Sequence, residues 1–350
     1  MRKLIAQIAA CAVLLRAARA YAGSPLDGTV FASAHRVVVL GDSITYSGQY
    51  VDDIEAVLRL DHSFEGLELL DLGLPSETVS GLSEPGHAGG KFLRPDLHER
   101  LERVLQKTKP DVVIACYGMN DGIYYPFAEE RFKKFRDGIQ WLHERVTAAG
   151  ARIIHVTPPV FDPAPIKSKT LPAGLNEYRK PYEGYNDVLD RYSAWLVSQR
   201  TNGWTVIDLH TPMNSFLAER RRTEPGFSLT RDGVHDDDLG HWLMAREILD
   251  GLSLQSGRLH FENLADITNT SSGAEMLKLI HQKNRMLSDA WLTDTGHKRP
   301  GMKQGLPVPE AQSKAAGLLP TIESETVAFL QKTGETTKLA APSGLKAVGP

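Results

Sequence analysis

A doubly wound α/β protein with a parallel sheet of about five strands at its centre is what this sequence predicts. Three observations lead there. Short apolar runs rich in β-branched residues recur along the chain, and longer amphipathic stretches alternate with them. The runs are continuously apolar rather than alternating, as strands covered on both faces must be. Composition sets the outer bounds: 350 residues, 41% hydrophobic and 24% charged, with a net charge of −3. That is enough chain for one large α/β domain or two smaller ones. The charge argues against a surface built for nucleic acid or an anionic membrane. Two cysteines exclude a disulfide scaffold and a multi-cysteine zinc module. No periodic repeat stands out, so solenoids and propellers drop away.

The strands are expected at 36–40 (RVVVL), 67–72, 112–117, 152–157 and 205–209, each bounded by Gly, Pro or Asp. Over 129–150, Phe132, Phe135, Ile139, Leu142 and Val146 keep a 3-then-4 spacing. Glutamates fill the first turn and Gly150 supplies the stop, so the segment predicts a helix. Tyr185, Val188, Leu189, Tyr192, Trp195 and Leu196 repeat the pattern ahead of Thr201-Asn202-Gly203. Leu239, Trp242, Leu243, Ile248 and Leu249 form a third such face. Ligands of such sheets sit at the carboxyl ends of the strands, which directs attention to those loops.

After residue 255 the pattern changes. Ser272-Gly273-Ala274-Glu275 reads as a capping box opening a helix, with Met276, Ile280, Leu287 and Trp291 on one side. A Gly/Pro-rich stretch at 296–309 and a second, short helix follow. The expected organisation is a leader at 1–22, a main domain at 30–255, a helical extension at 256–332 packed on it, and a disordered tail at 333–350. The leader has a basic start (Met1-Arg2-Lys3), an apolar stretch at 4–15, and two A-x-A exits, Ala18-Arg19-Ala20 and Ala20-Tyr21-Ala22. That is the grammar of a secretory signal peptide, too short to span a bilayer, and it points to a periplasmic or extracellular protein with no membrane span in its mature chain. Its removal takes Cys11 and leaves Cys116 as the only cysteine.

Chemistry concentrates in four loops. The first strand runs into Gly41-Asp42-Ser43-Ile44-Thr45, which puts the Ser43 N–H at a helix amino terminus, where negative charge is favoured. The glycine two residues after the serine is missing, which disfavours the α/β-hydrolase nucleophile elbow. On its own, the same motif also fits a helix cap. Gly73, after the second strand, can bring a bare backbone N–H close to a ligand or serve only as a turn residue. In Gly118-Met119-Asn120-Asp121-Gly122 the asparagine amide can donate to a developing oxyanion, or simply shape a turn. In Arg231-Asp232-Gly233-Val234-His235 the aspartate and histidine, three apart, can meet side chain to side chain and leave Nε2 free to accept a proton.

Taken in order, these four blocks resemble the SGNH (GDSL) hydrolase family over roughly 36–252. The resemblance implies a flavodoxin-like three-layer α/β/α sandwich with a helical carboxyl-terminal extension. It implies Ser43 as nucleophile, His235 as general base, Asp232 as its orienting partner, and an oxyanion hole of Ser43 N–H, Gly73 N–H and the Asn120 side chain. Neither metal nor organic cofactor is needed. His87, His155, His210 and His241 keep spacings that fit no compact ligand motif, and His155, at a strand end, is the one closest to the expected site. The bulky Met119 before the asparagine leaves the pocket's width open.

Candidate substrate contacts are Asp42, Tyr124, Tyr125, His87 and His155. The loops 75–95 and 158–181 are polar and carry tyrosines beside them, which suits a sugar ring better than a lipid. The expected activity is removal of acetyl or other short acyl groups from a carbohydrate or small-molecule ester. Two rivals stand beside it: a lipolytic esterase or thioesterase for longer acyl chains, and a carbohydrate-binding protein that has lost the chemistry. No phosphate-cradling glycine loop follows the first strand, which disfavours a nucleotide binder. The segment 289–300 (DAWLTDTGHKRP) is similar to a carboxyl-terminal feature of some exported bacterial members, with no mechanism attached.

Overall fold

Five parallel strands form one sheet: β1 (Arg36–Gly41), β2 (Glu68–Asp71), β3 (Val112–Cys116), β4 (Arg152–Val156) and β5 (Thr205–Ile207). The computed structural model describes residues 34–61, 66–253 and 261–333. The leader expected at 1–22 and residues 334–350 of the expected tail lie outside them. Strand order is β2-β1-β3-β4-β5, with Val37 opposite both Leu69 and Val112. From β1 the chain steps outward to β2, then crosses back to β3 on the other side. The carboxyl ends of β1 and β3 therefore border the topological switch point, where a crevice opens. The sheet is the flavodoxin-like three-layer arrangement expected from the sequence, and its strands are buried on both faces.

The helices are α1 (Ser43–Tyr46), α2 (Gln49–Leu60), α3 (Leu101–Thr108), α4 (Glu129–Ala148), α5 (Tyr185–Ser198), α6 (His210–Thr223), α7 (Asp238–Gly251), α8 (Ala265–Thr268), α9 (Ser271–Thr295) and α10 (Val308–Lys332). On one face α2 and α7 pack together, while α4 and α5 lie on β4 and β5. Among the described residues, no helix is long and apolar enough to cross a membrane.

Three local expectations need correction. β5 ends at Ile207 rather than 209, because the Thr157 hydroxyl accepts the Leu209 and His210 N–H groups and draws the chain off the ladder into α6. The cap of α9 is Thr270, whose Oγ1 accepts the Gly273 N–H at 3.0 Å, so the box read at Ser272–Glu275 lies inside the helix and Glu275 pairs with Lys278 instead. The last helix is 25 residues long, not short. Pro320 sits within it, where the fixed ring removes one internal bond without ending the helix.

Candidate active site

The site is built from the chain segments that follow β1, β2 and β3 and the turn that precedes α7. β1 ends on Gly41, where a Cβ would stand 2.1 Å from Thr45 Oγ1 and 2.9 Å from Cys116 O. Glycine alone lets the chain turn here. Asp42 is the cap of α1, its Oδ1 accepting the Ile44 N–H at 2.9 Å. Ser43 is thus the first helical residue and not the cap, which leaves its Oγ free. That Oγ lies 2.8 Å from His235 Nε2, and His235 Nδ1 lies 2.7 Å from Asp232 Oδ2. Asp232 Oδ1 also accepts the N–H groups of Val234 and His235, so carboxylate and ring are locked in one turn.

Electrostatics follow the geometry. The bond to Asp232 raises the His235 pKa above its ordinary value, against partial burial. Burial pushes the Asp232 pKa up, but its bonds to His235 and to two backbone N–H groups hold it well below the usual carboxylate range. Their side chains remain 50% and 57% exposed, so the pair stands at an open rim. An ionised carboxylate fixes the tautomer with Nδ1–H toward it and leaves Nε2 able to accept a proton.

Asn120 is held on all sides. Its Oδ1 accepts from Arg94 at 2.9 Å and from the Tyr124 hydroxyl at 3.1 Å, which sets the amide's orientation. Its Nδ2 donates to Asp42 Oδ2 and Glu77 O, both at 3.2 Å, long bonds from which one N–H can be redirected to an anionic oxygen. Arg94 is itself gripped by Glu84 through two bonds of 2.7 and 2.8 Å and lies 5.3 Å from the Tyr124 ring centre. Tyr124 reaches Asn120 because Ile123 and Tyr124 both adopt left-handed backbone, φ +50 and +58. That conformation is costly for a β-branched residue.

The loop after β2 is fixed from below. Arg100, almost fully buried, forks onto Glu77 at 2.7 and 2.8 Å and donates to Leu72 O, while the Tyr117 hydroxyl donates to Glu77 at 2.6 Å. Asp121 Oδ1 accepts the Val79 and Ser80 N–H groups, and burial lifts its pKa to about 6. Gly73 packs against the turn that begins at Ser43, where a Cβ would meet Tyr46 N at 2.4 Å.

Several sequence expectations change here. The Gly73 N–H donates to Asp71 Oδ1 at 2.8 Å rather than standing free for an oxyanion. Further along the loop, Ser76 holds φ +70, and its N–H makes no hydrogen bond among the described residues. Asp42 is not a substrate contact: it is buried, both oxygens are bonded internally, and burial raises its pKa to about 7. His155 points away from the site into the α4 layer, where it meets His143 Nδ1 at 3.1 Å and stacks on Trp204, and burial lowers its pKa to about 3. Along a strand alternate side chains face opposite layers, and position 155 falls on the wrong one. Tyr125 meets Tyr178 in a tilted ring contact, centroids 5.4 Å apart. His87 leans on Glu84, one step behind Arg94. His210 and His241 contact Asp190 and Ser47 respectively. Met119 is buried in the core.

A solved acetylxylan esterase, Axe2 from Geobacillus stearothermophilus, is 20% identical and matches 64% of this chain and 97% of its own, with a TM-score of 0.48. The acetyl xylan esterase AlAXEase is 22% identical over 61% of this chain and 97% of its own, with a TM-score of 0.42. BT4096, described as a gut microbial diltiazem-metabolizing enzyme, is 21% identical over 62% of this chain, with a TM-score of 0.47, and the match spans only 46% of its length. No curated protein matches. The GDSL-like lipase/acylhydrolase family matches residues 39–243, more than half the chain and every loop of the cluster around Ser43. The chain therefore belongs to that family of ester-bond hydrolases.

Proposed function

We propose that the protein is a serine esterase that removes short O-acyl groups, acetyl foremost, from a carbohydrate acceptor. The observation that carries this is the unbroken relay from Ser43 Oγ through His235 to Asp232, at 2.8 and 2.7 Å. Ser43 attacks the ester carbonyl as His235 takes its proton. The tetrahedral oxyanion is held by the Ser43 N–H and the Asn120 amide, and the third donor expected at Gly73 passes to the Ser76 N–H. The alcohol leaves with the proton from His235, and water then releases the acid from the acyl-enzyme.

The surroundings favour a short acyl group. Arg94, Glu84 and the Tyr124 hydroxyl offer polar partners beside Asn120 in place of an apolar wall. The exposed His235–Asp232 rim leaves room for a bulky, hydrated acceptor to approach. Tyr125 and Tyr182, half-buried on either side of the buried Tyr178, form an aromatic group next to Tyr124 suited to the C–H face of a sugar. Export rests on the leader read at 1–22 and is tested by mass measurement of the mature amino terminus.

Hydrolysis of nitrophenyl acetate, butyrate and laurate, then release of acetate from acetylated xylan and pectin, tests the reading. Turnover falling with chain length, and acetate release from a polysaccharide, is the expected outcome. Preference for laurate would instead establish a lipolytic enzyme. Failure of a fluorophosphonate to label Ser43 would leave a binding protein.

A further inference from the structure

The segment 289–300 runs alongside the two loops that carry the nucleophile and Ser76. Two arginines in and beside it each donate to a backbone carbonyl there. Arg285, on α9, lies over the Tyr46 ring at 3.9 Å and donates from Nη1 to Tyr46 O at 2.9 Å. That bond closes the single turn that begins at Ser43, and Asp289 holds the arginine's other arm. Arg299, in the linker after α9, donates from Nε to Pro75 O at 2.8 Å and lies over Phe92 at 5.4 Å. Its remaining partners are Pro300 O and Met302 Sδ, so none of its contacts is a carboxylate. Ion pairing does not account for its place; the loop does. Gly296, at φ +73, carries the chain off α9, and Arg103 fixes the exit by donating to the carbonyls of Thr295 and Gly296.

We propose that the carboxyl-terminal extension is a working part of the active site. Arg299 is a positioning residue for the loop 75–77, whose Glu77 carbonyl meets Asn120, and Arg285 holds the nucleophile turn in the same way. The proposal rests on the hydrolase reading above. The extension is docked independently of these arginines, since Lys283 and Asn284 bond Glu55 at 2.6 and 2.9 Å, and Asn284 also bonds Asp52. Losing one arginine therefore loosens a loop and leaves the helix in place.

The test uses the full chain with Arg299→Ala, Arg299→Gln and, as a control, the exposed neighbour Lys298→Ala. Hydrogen exchange over 74–79 and kcat and KM on nitrophenyl acetate are measured together. In Arg299→Ala, exchange over 74–79 should rise and kcat should fall roughly tenfold or more at nearly constant KM. Arg299→Gln keeps an N–H that can meet Pro75 O and should recover part of both, while Lys298→Ala should change neither. Unchanged exchange over 74–79 overturns the proposal, and so does raised exchange with unchanged kcat. A uniform rise in exchange across the protein also overturns it, for then Arg299 serves global stability. A wild-type protein that hydrolyses no ester sinks the hydrolase reading instead, and the exchange comparison still decides whether Arg299 holds the loop.

Discussion

Replacing Arg94 with alanine removes three contacts at once: the fork onto Glu84, the bond to Asn120 Oδ1 at 2.9 Å, and the guanidinium over Tyr124. The bond to Asn120 matters most for turnover. A hydrogen bond from a charged donor contributes about 1.5–3 kcal/mol, which as lost orientation corresponds to roughly 10- to 100-fold in kcat. The Tyr124 hydroxyl still holds Oδ1 at 3.1 Å, so the amide is loosened and not released. The loss should therefore stay below that of Asn120→Ala, where, on the proposed role of Asn120, deleting an oxyanion donor outright costs about 2.7–4 kcal/mol. Glu84, its side chain 17% exposed, keeps only His87 at 3.4 Å, so some stability goes too. Arg94→Lys retains the charge without the fork and should recover only part of the rate. The assay is kcat and KM on nitrophenyl acetate, with thermal melts alongside. A kcat within twofold of wild type would refute the reasoning, and a change confined to KM would make Arg94 a binding residue.

Other outcomes follow from the same geometry. Ser43→Ala should abolish turnover and fluorophosphonate labelling with an unchanged melting curve; retained turnover would remove Ser43 as nucleophile. If His235 is the base, as proposed, it must be neutral to act, and Asp232 raises its pKa, so kcat/KM should climb with pH through an inflection above the ordinary histidine value of 6.5. Asp232→Asn should move that inflection down and cut kcat severely, on the order of 10³–10⁴; an unmoved inflection would assign the limb to another group. Gly73→Ala drives a Cβ to 2.4 Å from Tyr46 N and should cost about 1–3 kcal/mol in stability, with a larger loss of activity, checked by melting and turnover. Ser76→Gly should stabilise the fold by about 1 kcal/mol in chemical denaturation and leave kcat intact, since only the left-handed backbone strain is relieved.

The fold was legible because buried parallel strands must be continuously apolar, and β1 and β3 announce themselves in Arg36–Leu40 and Val112–Tyr117. Helix α6 was not, because only His210, Met213 and Leu217 are buried along it, too few to mark a face. The close approach of Ser43, Asp232 and His235 was foreseeable from the ordered set of four loop motifs and its resemblance to the SGNH family, although each motif alone also fitted a cap or a turn. Arg94 figured only as one polar residue in a long loop, and nothing local signals that it reaches Asn120, 26 positions away. Glu77 and Arg100 hid for the same reason, as a buried pair is invisible until both partners are in place. Gly73 and His155 misled because a sequence shows which loop or strand carries a group, but not where its N–H or ring is already committed.

The hydroxyl and the imidazole of the relay come from positions 192 residues apart. Only a fragment that reaches from Ser43 to His235 contains both, and within it the central sheet has to form before the two loops can meet. Turnover is therefore a reporter of the finished fold. On refolding, restored hydrolysis should lag behind the return of helical signal, and a nascent or half-assembled molecule is harmless to the esters around it.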